Sequence, residues 1–207
     1  MALAANALTL VATCEAEIGG LTGGSQDALL ERYINAASEK IAQYLGYILY
    51  NDSAVVEKVA GSNDAFIYID RTPLNSITSI IWLGDGSTVS SGDYEIWKAG
   101  QGAIYNANGW NDSRISMTDF ERYQVTFDGG WVTPQQGGTR DLPFDLENVC
   151  IDMVTTMWRQ KGADAGIKSE SILSTSVTYD RSHGGITPTM QEVLDSYKRY
   201  DRLTEVD

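Results

Sequence analysis

Side-chain catalysis needs a base, a nucleophile or a metal, and this chain is poor in all three. The single histidine, His183, sits in "RSHGG", where the adjacent Ser182 cannot face its imidazole. Pairing His183 with Cys14 or Cys150 would require those thiols to leave apolar surroundings, and a lone loop histidine is usually just solvated. Two separated cysteines and one histidine give neither zinc-ligand spacing nor a CxxC pair. "DGSTVSSGD" lacks the alternating Asp/Asn ladder and terminal Glu of a calcium loop. "GQGAIYNANG" holds GxG without the further glycine and following helix of a dinucleotide site, and no GxxxxGK occurs. Asp93 and Glu95 lie two apart on a predicted strand, a spacing a glycosidase could use, although two acids on a solvated face are the commoner case. The expectation is a protein without enzyme activity, metal or cofactor.

The aromatic residues carry more information. Trp82, Trp97, Trp110 and Trp131 cluster in the middle of the chain, more indoles than a small core needs. They either fill the core and its seam or stand exposed as anchors for a partner, since tryptophan is enriched at binding hot spots. A sugar-binding platform would use the same residues, so a carbohydrate-binding module is a rival reading.

These residues must be held by a scaffold that the hydrophobic pattern outlines. Residues 9–18 predict a short helix closed by Gly19 and Gly20. A long helix follows, capped by Ser25, with apolar positions at 30, 33, 34, 37, 41, 45 and 48 forming one stripe. From Val55 to Phe127 the pattern shortens to strand-like runs between Gly, Asn, Asp and Ser: "AVVEKVAG", "DAFIYID", "SITSIIWLGDG", "DYEIWKAG", "GAIYN" and "RYQVTFDGGW". Helical spacing returns with Leu146, Val149, Cys150, Met153, Val154, Met157 and Trp158. The last helix starts with Thr187 as its N-cap and Pro188 in the first turn, and Met190, Val193, Leu194 and Tyr197 share a face. The fold class read from this order is α+β. A helical bundle of about four helices, residues 1–54 and 141–207, carries a small antiparallel β unit inserted over 55–140.

Charge narrows the partners. Fifteen Lys and Arg against 28 Asp and Glu leave a net charge of −13, with no basic run to neutralise phosphates. Sequence-specific DNA reading is therefore not expected. The N-terminus is apolar but lacks an early Lys or Arg and carries Glu15 and Glu17, so it does not read as a signal peptide. Two isolated cysteines suit reduced thiols in a cytoplasm.

Taken in order, "YLGY", "IDRTPLNSITSIIWLGDG", "VTFDGGW", "LPFDLENVCIDMVTTMWRQKG", "GIKSESILSTSVTY" and "VLDSYKRY" resemble the head–tail connector (head-completion or adaptor) proteins of tailed bacteriophages, over roughly residues 8–203. The resemblance implies a structural virion protein of the neck, assembled in the host cytoplasm. It implies a homo-oligomeric ring, a dodecamer, below the portal protein. Such a ring extends the DNA channel, lets double-stranded DNA pass without sequence reading, and offers a platform to a tail-side stopper or tail-completion protein; membranes are not involved. A neighbouring neck role, such as tail completion, is the alternative. By analogy the C-terminal helix docks on the portal through Leu194, Tyr197, Tyr200 and Leu203. The polar stretch 168–180 is expected to form an arm completed by adjacent subunits or lining the lumen, with Lys168, Glu170, Val177, Tyr179 and Asp180 as its contact residues. Acidic lumen walls would let DNA slide. The four tryptophans fall to the rim or a tail-side partner.

Overall fold

In the computed structural model the described residues are 2–21, 24–61, 64–110, 122–161, 169–172, 175–178 and 185–198, with 169–172 and 175–178 described by backbone alone. The chain divides into two compact units. One comprises residues 1–45, 133–137 and 142–207; the other comprises 46–132 and 138–141. The second unit thus starts earlier than the insert expected at 55. The reason is backbone pairing: Asn51 N–H donates to the Trp131 carbonyl, and Trp131 N–H donates to the Leu49 carbonyl.

The first unit is helical. Helix α1 spans Val11–Ile18 and ends at Gly19, whose φ of 72° is left-handed. Helix α2 spans Asp27–Leu45 and buries Leu30, Ile34, Ala37, Ser38, Ile41 and Leu45, the stripe that the three-and-four spacing predicts. Ser25 is not its cap. The Leu29 and Leu30 N–H groups donate to the Gln26 carbonyl, which puts Gln26 at the boundary, and Asp27 then supplies the acid that suits a helix start. Helix α3, Phe144–Arg159, follows Pro143 and buries Leu146, Val149, Cys150, Met153 and Val154, with Asp145 and Glu147 in its first turn and Arg159 in its last. Helix α4, Pro188–Asp195, is short; Thr187 caps it by accepting from Met190 N–H, and Met190 and Leu194 are buried. Within this unit α2 packs on α3 and α4, and α1 packs on both α2 and α3.

The second unit contains the six strands that the alternating runs predict: β1 Asp52–Val59, β2 Phe66–Tyr68, β3 Leu74–Trp82, β4 Tyr94–Lys98, β5 Ala103–Asn106 and β6 Tyr123–Gly129. They make two antiparallel three-stranded sheets, ordered β1-β6-β3 and β2-β5-β4. Strand β6 is central in the first sheet and alternates buried with half-buried residues, so Tyr123, Val125 and Phe127 point inward. They meet Ile67, Ile80, Ile104 and Trp110 in one apolar cluster fed by both sheets. Gly130, with φ of 101°, turns the chain out of β6 against Tyr50; a Cβ there would lie 2.2 Å from the Tyr50 carbonyl oxygen. A separate hairpin, β7 Ser169–Ile172 with β8 Thr175–Thr178, pairs antiparallel. Mixed helices and small antiparallel sheets bear out the α+β expectation.

Candidate functional site

The C-terminal helix was expected to present Leu194 and Tyr197 to a partner. Leu194 is instead fully buried within the helical unit, because it lies on the same face as Met190 and that face forms the core. Tyr197 is half-buried, and its hydroxyl, 2.7 and 2.8 Å from the two carboxylate oxygens of Asp145, donates its one proton to that carboxylate and ties the residues just after α4 to the start of α3. On the other side the Tyr44 hydroxyl of α2 donates to Asp195 at 2.8 Å. Lys198 pairs with Asp195 at 2.8 Å and stands 4.0 Å from the Tyr44 ring centroid. The donations from Lys198 and Tyr44 hold the Asp195 carboxyl below its ordinary range. The sequence pattern put Leu194 and Tyr197 on an apolar face but could not say whether the chain itself covers that face. Tyr200 and Leu203 lie outside the described residues.

The arm residues are only partly placed. Glu170 in β7 pairs in register with Val177 in β8. Lys168, Tyr179 and Asp180 lie outside the described residues, as does His183.

Periodicity alone did not reveal a buried polar cluster that joins the segment just before α1 to α2 and α3. The Thr9 hydroxyl, fully buried, donates to Glu147 Oε1 at 3.0 Å. Ser38 accepts from Leu8 N–H at 3.0 Å, and its hydroxyl lies 3.7 Å from Cys150 Sγ. Burial, with the Glu147 charge adding to it, pushes the Cys14 thiol up to about 12. Burial also lifts Cys150 to about 12 despite its contact with Ser38. Both sulfurs are therefore protonated and poor nucleophiles near neutrality. The only warning in the sequence was that Glu147 and Ser38 interrupt apolar stripes. Among the described residues no three His, Cys, Asp or Glu side chains are grouped to hold a metal.

The tryptophans separate into distinct roles. Trp110 is buried; its indole N–H donates to the Ala65 carbonyl at 3.1 Å and its ring meets Tyr123 edge-on at 5.0 Å. Trp82 is half-buried and packs against the same cluster. Trp131 is half-buried and contributes through its backbone to the pairing with Leu49 and Asn51. Trp97 differs, with 55% of its surface exposed. It contacts Phe66 and Tyr105, with ring centroids 6.0 and 5.8 Å away, and those two rings are 5.3 Å apart. The alternation in "FIY", "YEIWK" and "AIYN" carried this grouping: Ile67, Ile96 and Ile104 turn inward, which sends Phe66, Trp97 and Tyr105 outward. Asp93 lies in the turn before β4, its N–H donating to the Ser90 carbonyl, while Glu95 lies within the strand.

Comparison with known proteins agrees with the resemblance read from the residues. Residues 19–79 match the model of the phage gp6-like head-tail connector proteins, a span that contains "YLGY" and "IDRTPLNSITS". "VTFDGGW" and "LPFDLENV" lie beyond it. No curated protein matches the chain. Three solved structures share its fold at a TM-score of 0.59, each covering 99% of this chain and 95% of its own. One is the neck of an empty GTA particle computed with C6 symmetry, 15% identical. The second is the neck of a native GTA particle computed with C12 symmetry, 13% identical. The third is the virion of a native gene transfer agent particle, 14% identical. Over residues 19–79 the chain is similar in sequence to phage gp6-like head-tail connector proteins, and over nearly its whole length it has the fold of a particle-neck chain.

Proposed function

We infer that this chain is a structural head–tail connector of a tailed phage or phage-like particle, a neck component and not an enzyme. The observation that carries the reading is the connector-family match at residues 19–79, lying within a chain whose fold follows a particle-neck protein along 99% of its length. In this reading identical copies form a ring, a dodecamer, below the portal protein, extend the DNA channel and give the tail-side protein its platform. The net charge of −13 suits a wall past which DNA slides, since a basic wall would hold phosphates through counterion release.

The hairpin β7–β8 supports the arm. Two strands of four residues each are marginal alone in water, and a neighbouring copy in a ring can supply further pairing. With Leu194 buried and Tyr197 held by Asp145, portal docking in this reading falls to Tyr200 and Leu203. Light scattering and electron microscopy of the purified chain, alone and with portal protein, test the proposal. The expected result is a ring seated on the portal. A chain that stays single in the presence of portal, or that maps in particles away from the neck, overturns it.

A further inference from the structure

We propose that the outer face of the β2-β5-β4 sheet docks an arginine-bearing segment of another protein, with Trp97 as the stacking surface and Glu95 as the carboxylate that receives the guanidinium. Register fixes the arrangement. Phe66 of β2 pairs with Tyr105 of β5, and Tyr105 pairs with Glu95 of β4, so these three side chains form one row across the sheet. Trp97 follows two positions along β4, at a register irregularity between Ile96 and Lys98, and its ring contacts with Phe66 and Tyr105 put it on the same face as that row. The row is therefore aromatic, aromatic, acid, with a half-exposed indole beside the acid.

The chemistry of that face selects the occupant. Phe66 and Tyr105 brace Trp97, so little side-chain entropy is lost when it is covered. The three ring planes are tilted by 42–60° to one another, so they do not extend into one flat platform along which a run of sugar rings could lie. A planar guanidinium needs only one ring face, and its fork of N–H donors fits one carboxylate. Charge points the same way. Asp64 and Asp70 flank β2, Asp93 precedes β4, and Lys98 is the one cation on these three strands. A second copy meeting this one through the same face would set acid against acid, whereas an arginine-bearing partner is complementary. This assignment is independent of ring formation, so it can fail while the connector reading stands, and the reverse.

Calorimetric titration of the full chain with acetyl-Gly-Arg-Gly-Arg-Gly-amide, its lysine counterpart and maltohexaose tests the site. The variants are Trp97→Ala and Glu95→Gln. Asp85→Asn, in the exposed turn after β3, serves as a control that removes the same charge elsewhere in the unit. Far-UV circular dichroism checks that each variant is folded. The arginine peptide is expected to bind wild type, to bind more weakly by about tenfold in Trp97→Ala and in Glu95→Gln, and to be unaffected by Asp85→Asn. The lysine peptide should bind about threefold more weakly than the arginine peptide. Equal losses in Asp85→Asn and Glu95→Gln would reduce the effect to general charge and overturn the site. Maltohexaose binding that disappears in Trp97→Ala would make the face a sugar platform. Self-association lost in Trp97→Ala with peptide binding intact would make it a contact between copies. No measurable binding of the arginine peptide also overturns the proposal.

Discussion

The two units solve the problem of uniqueness with different materials. The β unit has an apolar cluster of isoleucines, valines, Leu74, Trp110, Tyr123 and Phe127, and the polar residues it also buries (Arg71, Thr72, Asn106 and Arg122) stand outside that cluster, Arg71 and Asn106 bonding to backbone or the adjoining turn. The helical unit places polar side chains against one another inside its core, with Thr9 on Glu147 and Ser38 beside Cys150. The contrast follows from where each backbone finds its hydrogen bonds. A sheet pairs strand with strand, so the ladder itself fixes which residues face each other. A helix satisfies its own backbone, and an apolar stripe leaves rotation and sliding between helices weakly specified. A buried polar pair removes that freedom at the cost of desolvation.

If the β unit is specified by its backbone, its sharpest weakness is a backbone position. Gly130→Ala combines a left-handed φ with a Cβ 2.2 Å from the Tyr50 carbonyl oxygen and 2.7 Å from the Asn51 nitrogen. Those neighbours are main chain and cannot rotate aside. The expected loss is about 4 kcal/mol or more, at the high end for any single substitution. Gly19→Ala in the helical unit has a similar φ, 72°, but a Cβ there meets nothing within 4 Å. It should cost about 1 kcal/mol. Urea unfolding of both variants measures the difference, and equal losses would mean that crowding at Tyr50 is relieved by movement of the 46–51 segment.

The same distinction explains what could be read from the residues. Strand runs and helix stripes were legible because each depends on a local period, and Thr187 with Pro188 marked the last helix start through local chemistry. Long-range pairings were not legible. Thr9 meets Glu147 across 138 residues of sequence, and Phe66, Trp97 and Tyr105 converge only once strand order is known. The misplaced cap at Ser25 has a similar cause, since two neighbouring polar residues compete for one boundary. Leu194 shows the limit most clearly: an apolar helix face reads the same whether the chain itself or a partner covers it.

A double-mutant cycle at Thr9 and Glu147 tests whether the polar pair specifies the helical core. Glu147→Leu leaves the fully buried Thr9 hydroxyl without its acceptor and should cost about 1–3 kcal/mol. Thr9→Val removes one hydrogen-bond donor from the buried Glu147 carboxylate and should cost about 1 kcal/mol. The double variant should recover most of the loss in stability, because both polar groups then leave together. If the pair fixes how the segment before α1 seats on α3, the recovered protein should still show broader amide resonances around Thr9 and in the first turns of α3 than wild type. Additive losses would remove the coupling on which this account of the helical unit depends.

The smallest expected effect concerns Tyr197, the residue for which in-chain and partner roles compete. Its hydroxyl reaches both oxygens of Asp145, an exposed acceptor, so Tyr197→Phe should cost about 1 kcal/mol in the isolated chain. Asp145→Ala removes the acceptor together with the first-turn acid and the bond from Leu146 N–H, so it should cost more, but adding Tyr197→Phe to it should cost little further, since the contact is already gone. A residue reserved for the portal would behave in the opposite way: Tyr197→Phe would leave the stability of the isolated chain unchanged and weaken ring or portal binding instead. Measuring urea stability and portal binding on the same variant separates the two roles. The geometry gives the result expected, a small loss in the isolated chain, because a tyrosine already bonded at 2.7 Å must break that contact before it can serve another protein.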